Sequence, residues 1–489
     1  MINLATTPID PEAAQILGHD YAERFNALPI RRDGNVLYVA MDDAACVQTR
    51  ENLAAVTRHF IEPIAADPAE LRYYIQRTFG ADAIHSIASQ FIVEEKLQTR
   101  TADAALLAEL NAAPAVRLID TLIDAGILHR ASDLHIEPFG HFLRARYRVD
   151  GVLVTHGTVD ISLLPNVISR LKIMADMDIS EKRLPQDGHF TLRTDAESVD
   201  FRVSTIPTIN GEKAAIRLLY GGEKRINKEK LGFAPDDLQV LTRLFRQPYG
   251  AVIITGPTGS GKSTTLTAFL AELNDDKRNI VTIEDPVENP LPGVNHINVS
   301  PLVGFATALK HILRQDPDVI MIGEMRDEET ARIAIQSALT GHVVLTTLHT
   351  NDAAGVIERL GDMGVAHYLT AAALNGIISQ RLVRHICPHC TQPATLTDEQ
   401  AFLLKIDKKT RVHEGAGCGH CHQSGYSGRF ALYEYIVINK ESRREIADDA
   451  NSFARKIRDR QALRENALQA LRAGRTSAEE IIAALHRDV

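Results

Sequence analysis

The stretch that most constrains this chain is Gly256–Thr264, GPTGSGKST, set between the apolar run Ala251-Val252-Ile253-Ile254 and a helix-like segment, Lys262–Leu273. Strand, glycine-rich loop and helix in that order are the context in which Gly-x4-Gly-Lys-Ser forms a phosphate loop. Gly256, Gly259 and Gly261 allow positive φ, so that successive N–H groups turn toward phosphate oxygens. The new helix sets its positive end beneath the same phosphates. Lys262 is placed to reach the β- and γ-phosphates and the Ser263 hydroxyl to ligate Mg²⁺, with Pro257, Thr258, Ser260 and Thr264 completing the cradle. The stretch predicts a nucleoside triphosphate site, with ATP and Mg²⁺ as its ligands.

The rest of the chain must say how that site is used. At 489 residues it exceeds what one core organises, so several domains are expected. The net charge of −9 argues against a surface-wide attraction to nucleic acid or anionic lipid. No apolar run reaches the ~18 residues of a membrane span, and MINLATTPIDPEAAQ does not read as a signal peptide. Four of the five cysteines form two Cys-x2-Cys pairs and Cys46 stands alone. Without an export signal, that usage favours metal over disulfides and a cytoplasmic location.

Residues 1–95 read as a small α/β domain, with a strand over Asn35–Met41 after the turn pair Asp33-Gly34 and a helix over Leu71–Thr78. A docking module and a small structural cap are both open readings. Residues 96–112 are expected to be a linker, and 94–111 a linker or exposed helix. From Ala113 to Gly221 the pattern is α+β. Val116, Ile119, Leu122, Ile123 and Ile127 predict an amphipathic helix after Pro114. Asp150-Gly151 joins one hairpin, and Asn210-Gly211 joins Val199–Thr205 to Lys213–Leu219. With a two-residue loop at Asn210-Gly211, Arg202 falls opposite Leu219. Phe201, Val203, Ile216 and Leu218 then share the core face, and Arg202 and Arg217 share the other on a diagonal, within reach of one anion. Residues 222–230 read as a charged linker.

Residues 231–438 are expected to form a RecA-like P-loop domain. Strands at 279–283, 318–322 and 342–347 alternate with helices, and each strand ends in polar residues, as in a parallel sheet with its site at the strands' C-terminal edge. A helix over Asp327–Leu339 is capped by Asp327 and followed by Gly341. Glu324 is the candidate to orient the attacking water, to hold the metal's water shell, or both. Glu288 and His349 follow other strand tips and are candidates to sense the γ-phosphate, while Glu284 and Asp285 brace the turn at Pro286.

These segments resemble a known family. GPTGSGKST, TIEDPVE (282–288), RQDPDVIMIGEMRD (314–327) and ALTGHVVLTTLHTNDA (338–353) are similar to the phosphate loop, acidic box, Walker B segment and histidine box of the secretion ATPase superfamily, closest to its GspE/PulE branch. ASDLHIEP (131–138), RVDG (148–151), RLPQDG (183–188) and DFRVST (200–205) resemble the same family's PAS-like domain. The resemblance implies an ATP-hydrolysing homo-hexamer at the cytoplasmic face of an envelope-spanning machine. It would drive pilin or pseudopilin assembly, working peripherally to the inner membrane through assembly-platform proteins. It also implies that Arg202 and Arg217 contact the γ-phosphate across a domain gap, within or between subunits. Thr307 and Lys310 stand where many secretion-branch members carry arginines, although Arg314 remains. Retraction motors of the superfamily usually lack a zinc module and the N-terminal domain, so an assembly motor is expected, for secretion or for a pilus.

Cys387-Pro-His-Cys390 and Cys418-Gly-His-Cys421 suit a tetrahedral four-cysteine zinc site, with His389, His420 and His422 as conceivable substitutes for a cysteine. The module, about 385–430, also resembles the family's tetracysteine insert, which implies a structural Zn²⁺. Residues 439–489 read as charged C-terminal helices, with Ile481–Leu485 packing back on the sheet. The competing classes are a nucleic-acid translocating RecA-like motor, disfavoured by the acidic balance and the lack of tryptophan, and a nucleotide-gated scaffold that does not hydrolyse ATP.

Overall fold

The computed structural model describes Ile2, Leu4, Thr7 and residues 9–68, 70–72, 74–75, 78, 104–193, 198–221, 227–275, 277–421 and 423–485. They fall into two compact units, Met1–Glu223 with Ala416–Gly425, and Lys224–Gly415 with Tyr426–Val489.

In the first unit two short helices, Pro11–Gln15 and His19–Phe25, precede a three-stranded sheet. Ala27–Asp33 pairs antiparallel with Val36–Met41, which pairs parallel with Phe60–Ala65 after the crossover helix Val47–Thr57. The expected α/β character is present, and the described residues between 70 and 78 are helical. Residues 94–103 lie outside the described set, but the following helix spans Ala104–Leu128. Pro114 is therefore inside this helix rather than at its start, and most of the residues expected to form a linker up to 112 are helical. The apolar period that carries the helix after Pro114 begins earlier than its strongest repeat shows.

Six antiparallel strands follow in the spatial order Val152–Asp160, Phe142–Val149, Asp133–Phe139, Gly211–Gly221, Ser198–Thr208, Gln186–Arg193. Strict alternation along Ser198–Thr208 puts Val199, Phe201 and Val203 in the core and Asp200, Arg202 and Ser204 outside. The helices Ala104–Leu128 and Leu164–Met174 share one core with the apolar face. Asp150 and Gly151, at φ 48° and 87°, close the first hairpin as expected, with Val149 opposite Val152. The second hairpin departs from expectation. Its loop is Ile209-Asn210, with Thr208 opposite Gly211, so Arg202 faces Arg217 directly and not on a diagonal. The slip is two residues, which conserves the face of every side chain.

The second unit is built on a seven-stranded sheet ordered Asn295–Asn298, Ile280–Glu284, Val319–Ile322, Val343–Leu348, Gly250–Thr255, Leu374–Ile386, Tyr426–Val437. Only the pairing of the last two is antiparallel. Its inner strands are buried throughout because separate apolar cores cover both faces, hence their unbroken Val/Ile/Leu runs. Helix Glu328–Leu339 starts at Asp327, whose Oδ1 accepts from the Thr330 N–H at 2.8 Å. The C-terminal helices are Lys440–Asp459, Ala462–Arg472 and Ala478–Leu485, and the last packs on the strand Leu374–Ile386.

Candidate nucleotide site

Strand Gly250–Thr255 ends, the loop turns at Gly256 (φ 147°), Gly259 (φ 77°) and Gly261 (φ 83°), and helix Lys262–Leu273 begins. Gly256 has no room for a side chain: a Cβ there would lie 2.3 Å from the Gln380 carbonyl oxygen. Gln380, on the neighbouring strand, ties the loop from a second direction. Its Nε2 donates to the Ser260 carbonyl at 2.6 Å, while its Oε1 accepts from Thr265 Oγ1 at 2.9 Å. Lys262 Nζ donates to the carbonyls of Gly256 and Pro257 at 2.9 and 3.0 Å, folded back into its own loop. Burial, and secondarily Arg381, lowers the Lys262 pKa to about 8 against the opposing pull of Glu324.

The loop lines a cavity of about 380 Å³ together with Glu284, Asp285, Glu288, Glu324, His349 and Arg429. The structure thus brings Glu288, Glu324 and His349 to the phosphate loop, as the strand tips imply. Glu324 sits between two side chains: Arg326 Nη2, with which it forms an ion pair, and His349 Nε2 at 3.3 Å. The ion pair with Glu324, and behind it Asp285, raises the Arg326 pKa. Glu284 is buried against Thr282 Oγ1 (2.7 Å) and His296 Nδ1 (3.0 Å), which makes it a brace of the turn. Thr347 Oγ1 donates to the Gly323 carbonyl at 2.7 Å and fixes the backbone that carries Glu324. Ser263 is exposed to the cavity at the first turn of the helix, where a hydroxyl can hold Mg²⁺.

Gln380, Arg326 and Arg429 are site residues that the motifs do not single out. Gln380 had a signal: Ser379-Gln380-Arg381 interrupts an apolar strand with three polar residues that the fold nevertheless buries. Arg326 lies two residues past Glu324, and its role is visible only in the ion pair that the fold makes between them.

Arg202 and Arg217 line a different cavity, of about 740 Å³, on the polar face of the six-stranded sheet in the first unit. Next to it, Glu137 is packed among Arg146, Lys213 and Arg144. Burial pushes its carboxyl up, but the three cations outweigh burial and hold it at about 2.

The four cysteine sulfurs, of Cys387, Cys390, Cys418 and Cys421, all lie within 4.8 Å of one another. Cys418 Sγ and Cys421 Sγ are 3.7 Å apart, close to the ~3.8 Å edge that a tetrahedron of 2.3 Å Zn–S bonds requires. Backbone N–H groups of Cys418 and Gly425 donate to Cys421 Sγ at 3.2 and 3.3 Å and hold that sulfur in place. The donor set fits zinc.

A parallel sheet with a glycine loop at one strand's end and carboxylates at the neighbouring tips defines a P-loop nucleotide-binding protein. The chain belongs to the family described as type II/IV secretion system protein, whose sequence model matches residues 108–483; an MshEN domain matches residues 1–85. It is 39% identical to the type IV pilus assembly ATPase PilB of Myxococcus xanthus, over 98% of this chain and 88% of that protein. It is 37% identical to the type II secretion system ATPase E of Vibrio cholerae, over 99% of both. Among solved structures it is similar to the pilus retraction motor PilT with bound ADP, at TM-score 0.52 and 26% identity, over 75% of this chain and 96% of that one.

Proposed function

We propose that this chain is the ATP-hydrolysing motor of a type II secretion or type IV pilus assembly machine, working as a homo-hexamer on the cytoplasmic side of the inner membrane. Full-length similarity to an assembly ATPase and a secretion ATPase supports the class. No helix among the described residues is long and apolar enough to cross a membrane; in this reading assembly-platform proteins bring the motor to the membrane. The second unit supplies a RecA-like domain that holds ATP and Mg²⁺ at Gly256–Thr264, and residues 113–221 supply a PAS-like domain whose Arg202 and Arg217 contact the γ-phosphate. The cysteine cluster holds a structural Zn²⁺, and residues 1–95 dock the motor to its machine.

One observation carries the enzymatic reading: Glu324 shares a cavity with the phosphate loop and is close enough for its charge to pull on the Lys262 ammonium. Glu324 orients the water and takes its proton, and His349 and Arg326 hold the carboxylate in place until then. ATP turnover and ATP binding are to be measured on wild type and Glu324→Gln. Turnover should fall about 10²–10⁴-fold with binding retained, since the amide keeps the shape and loses the base. Equal turnover in the two proteins would remove Glu324 from the chemistry.

A further inference from the structure

A charged row crosses the polar face of the six-stranded sheet. Arg148, Asp133, Arg217, Arg202 and His189 stand opposite one another across five adjacent strands. Two guanidiniums in direct opposition, Arg202 and Arg217, repel each other. Asp133 is the single carboxylate in the row, and it is attached to one of them: Oδ1 lies 3.2 Å from Arg217 Nε. Its own position is fixed from the other side, because Ser132 Oγ donates to Oδ2 at 2.9 Å and Arg148 Nε lies 3.6 Å from the same oxygen. The Asp133 side chain is 16% exposed and that of Arg217 61%, so a sunken anchor holds a projecting cation. Among the described residues Arg202 has no such partner.

We propose that Asp133 is a positioning residue for Arg217. The ion pair uses Nε, at the root of the guanidinium, and leaves the two terminal nitrogens for an oxyanion. Anchor and anion then bind the same side chain together and do not compete. The pair also offsets the repulsion between the two arginines and spares the side-chain ordering that a phosphate would otherwise have to impose. This rests on the reading that Arg217 meets the γ-phosphate of a bound nucleotide.

The test is steady-state ATP turnover of the full chain in its assembled form, for Asp133→Ala, Asp133→Asn, Arg217→Ala and the Asp133→Ala/Arg217→Ala double variant. Asp133→Ala should lower kcat about two- to tenfold, the range set by freeing one long side chain. KM for ATP should stay level or fall, because a negative charge has left the cavity. Asp133→Asn keeps an acceptor for Nε and should recover most of kcat. The double variant should match Arg217→Ala, since Asp133 acts only through that arginine. Losses that multiply in the double variant, or a kcat for Asp133→Ala at or above wild type, overturn the proposal. If Arg217→Ala is impaired and Asp133→Ala is not, the positioning role alone fails; if Arg217→Ala turns over like wild type, the phosphate-contact reading fails and takes the proposal with it. Should Asp133→Ala not fold, Ser132→Ala with and without Arg217→Ala replaces it. A loss with Ser132→Ala that vanishes in the Arg217→Ala background supports the role, and a loss that persists there, or no loss at all, overturns it.

Discussion

The phosphate loop and the arginine row both present N–H donors to a cavity, and they are built in opposite ways. The loop is contiguous in sequence, sunk against a central strand and closed by hydrogen bonds from Gln380 and Lys262. Its donors are backbone amides, which need no ordering when a phosphate arrives. The row draws its side chains from five strands, and its arginines project from an open sheet face. The first region is fixed before a ligand arrives. The second is fixed only at its root, through Asp133, and has tips that can follow a ligand.

The sharpest way to break this contrast is to give the loop a side chain. Gly256→Ala would place a methyl group 2.3 Å from the Gln380 carbonyl oxygen, at a φ of 147° that L residues rarely adopt. A backbone atom on a strand paired on both sides cannot swing away, so the loop must rebuild. Nucleotide affinity should fall by about 100-fold or more, as expected for several kcal/mol of strain and lost amide contacts. Titration with a fluorescent ATP analogue measures it, and affinity within threefold of wild type would show that the loop is not preformed.

A milder probe keeps the loop and removes its clamp. Gln380→Ala leaves the Ser260 carbonyl and the Thr265 hydroxyl without their buried partner. The expected cost is about 1–3 kcal/mol of stability, read as a lower unfolding midpoint in denaturant. An unchanged midpoint would mean that water replaces the amide freely and that the loop is looser than the row it is contrasted with.

Legibility in the sequence followed the same division. GPTGSGKST declares itself because strand, loop and helix are adjacent, and Glu324 and His349 follow from the strand-tip rule. Alternation puts Arg202 and Arg217 on the correct face but two residues out of register, because Asn210-Gly211 looks like the turn while the chain turns at Ile209-Asn210. Period-two alternation reports the face and is blind to an even slip. What Gln380 and Asp133 bind cannot be found this way, although the polar interruption Ser379-Gln380-Arg381 marks Gln380 as unusual. Each works on a partner more than eighty residues distant in sequence, and no local pattern encodes that pairing. The early start of the helix at Ala104 is hidden for another reason: a proline inside a helix looks, locally, like a first residue.

The smallest effect separates the regions by pH. Burial desolvates the Lys262 ammonium and lowers its pKa to about 8, against an ordinary value of 10.5. A bound polyphosphate favours the charged form, so binding near pH 8 must take up a proton at Lys262. Above that pH the lysine is neutral before binding, and affinity should fall by up to about tenfold per pH unit until the bound-state value is passed. The stability of the nucleotide-free chain moves the other way. Between about 8 and 10.5 the unfolded lysine carries a proton that the folded one has lost, so this group's contribution to stability rises with pH across that window. Calorimetry of ATP binding in two buffers of different ionisation enthalpy reads the uptake directly. Glu324→Gln removes the carboxylate that pulls the Lys262 pKa upward, so the onset of uptake should move to lower pH. An unmoved onset would mean that Glu324 and Lys262 do not share one electrostatic site, and the loop would then be as separate from that carboxylate as it is in sequence.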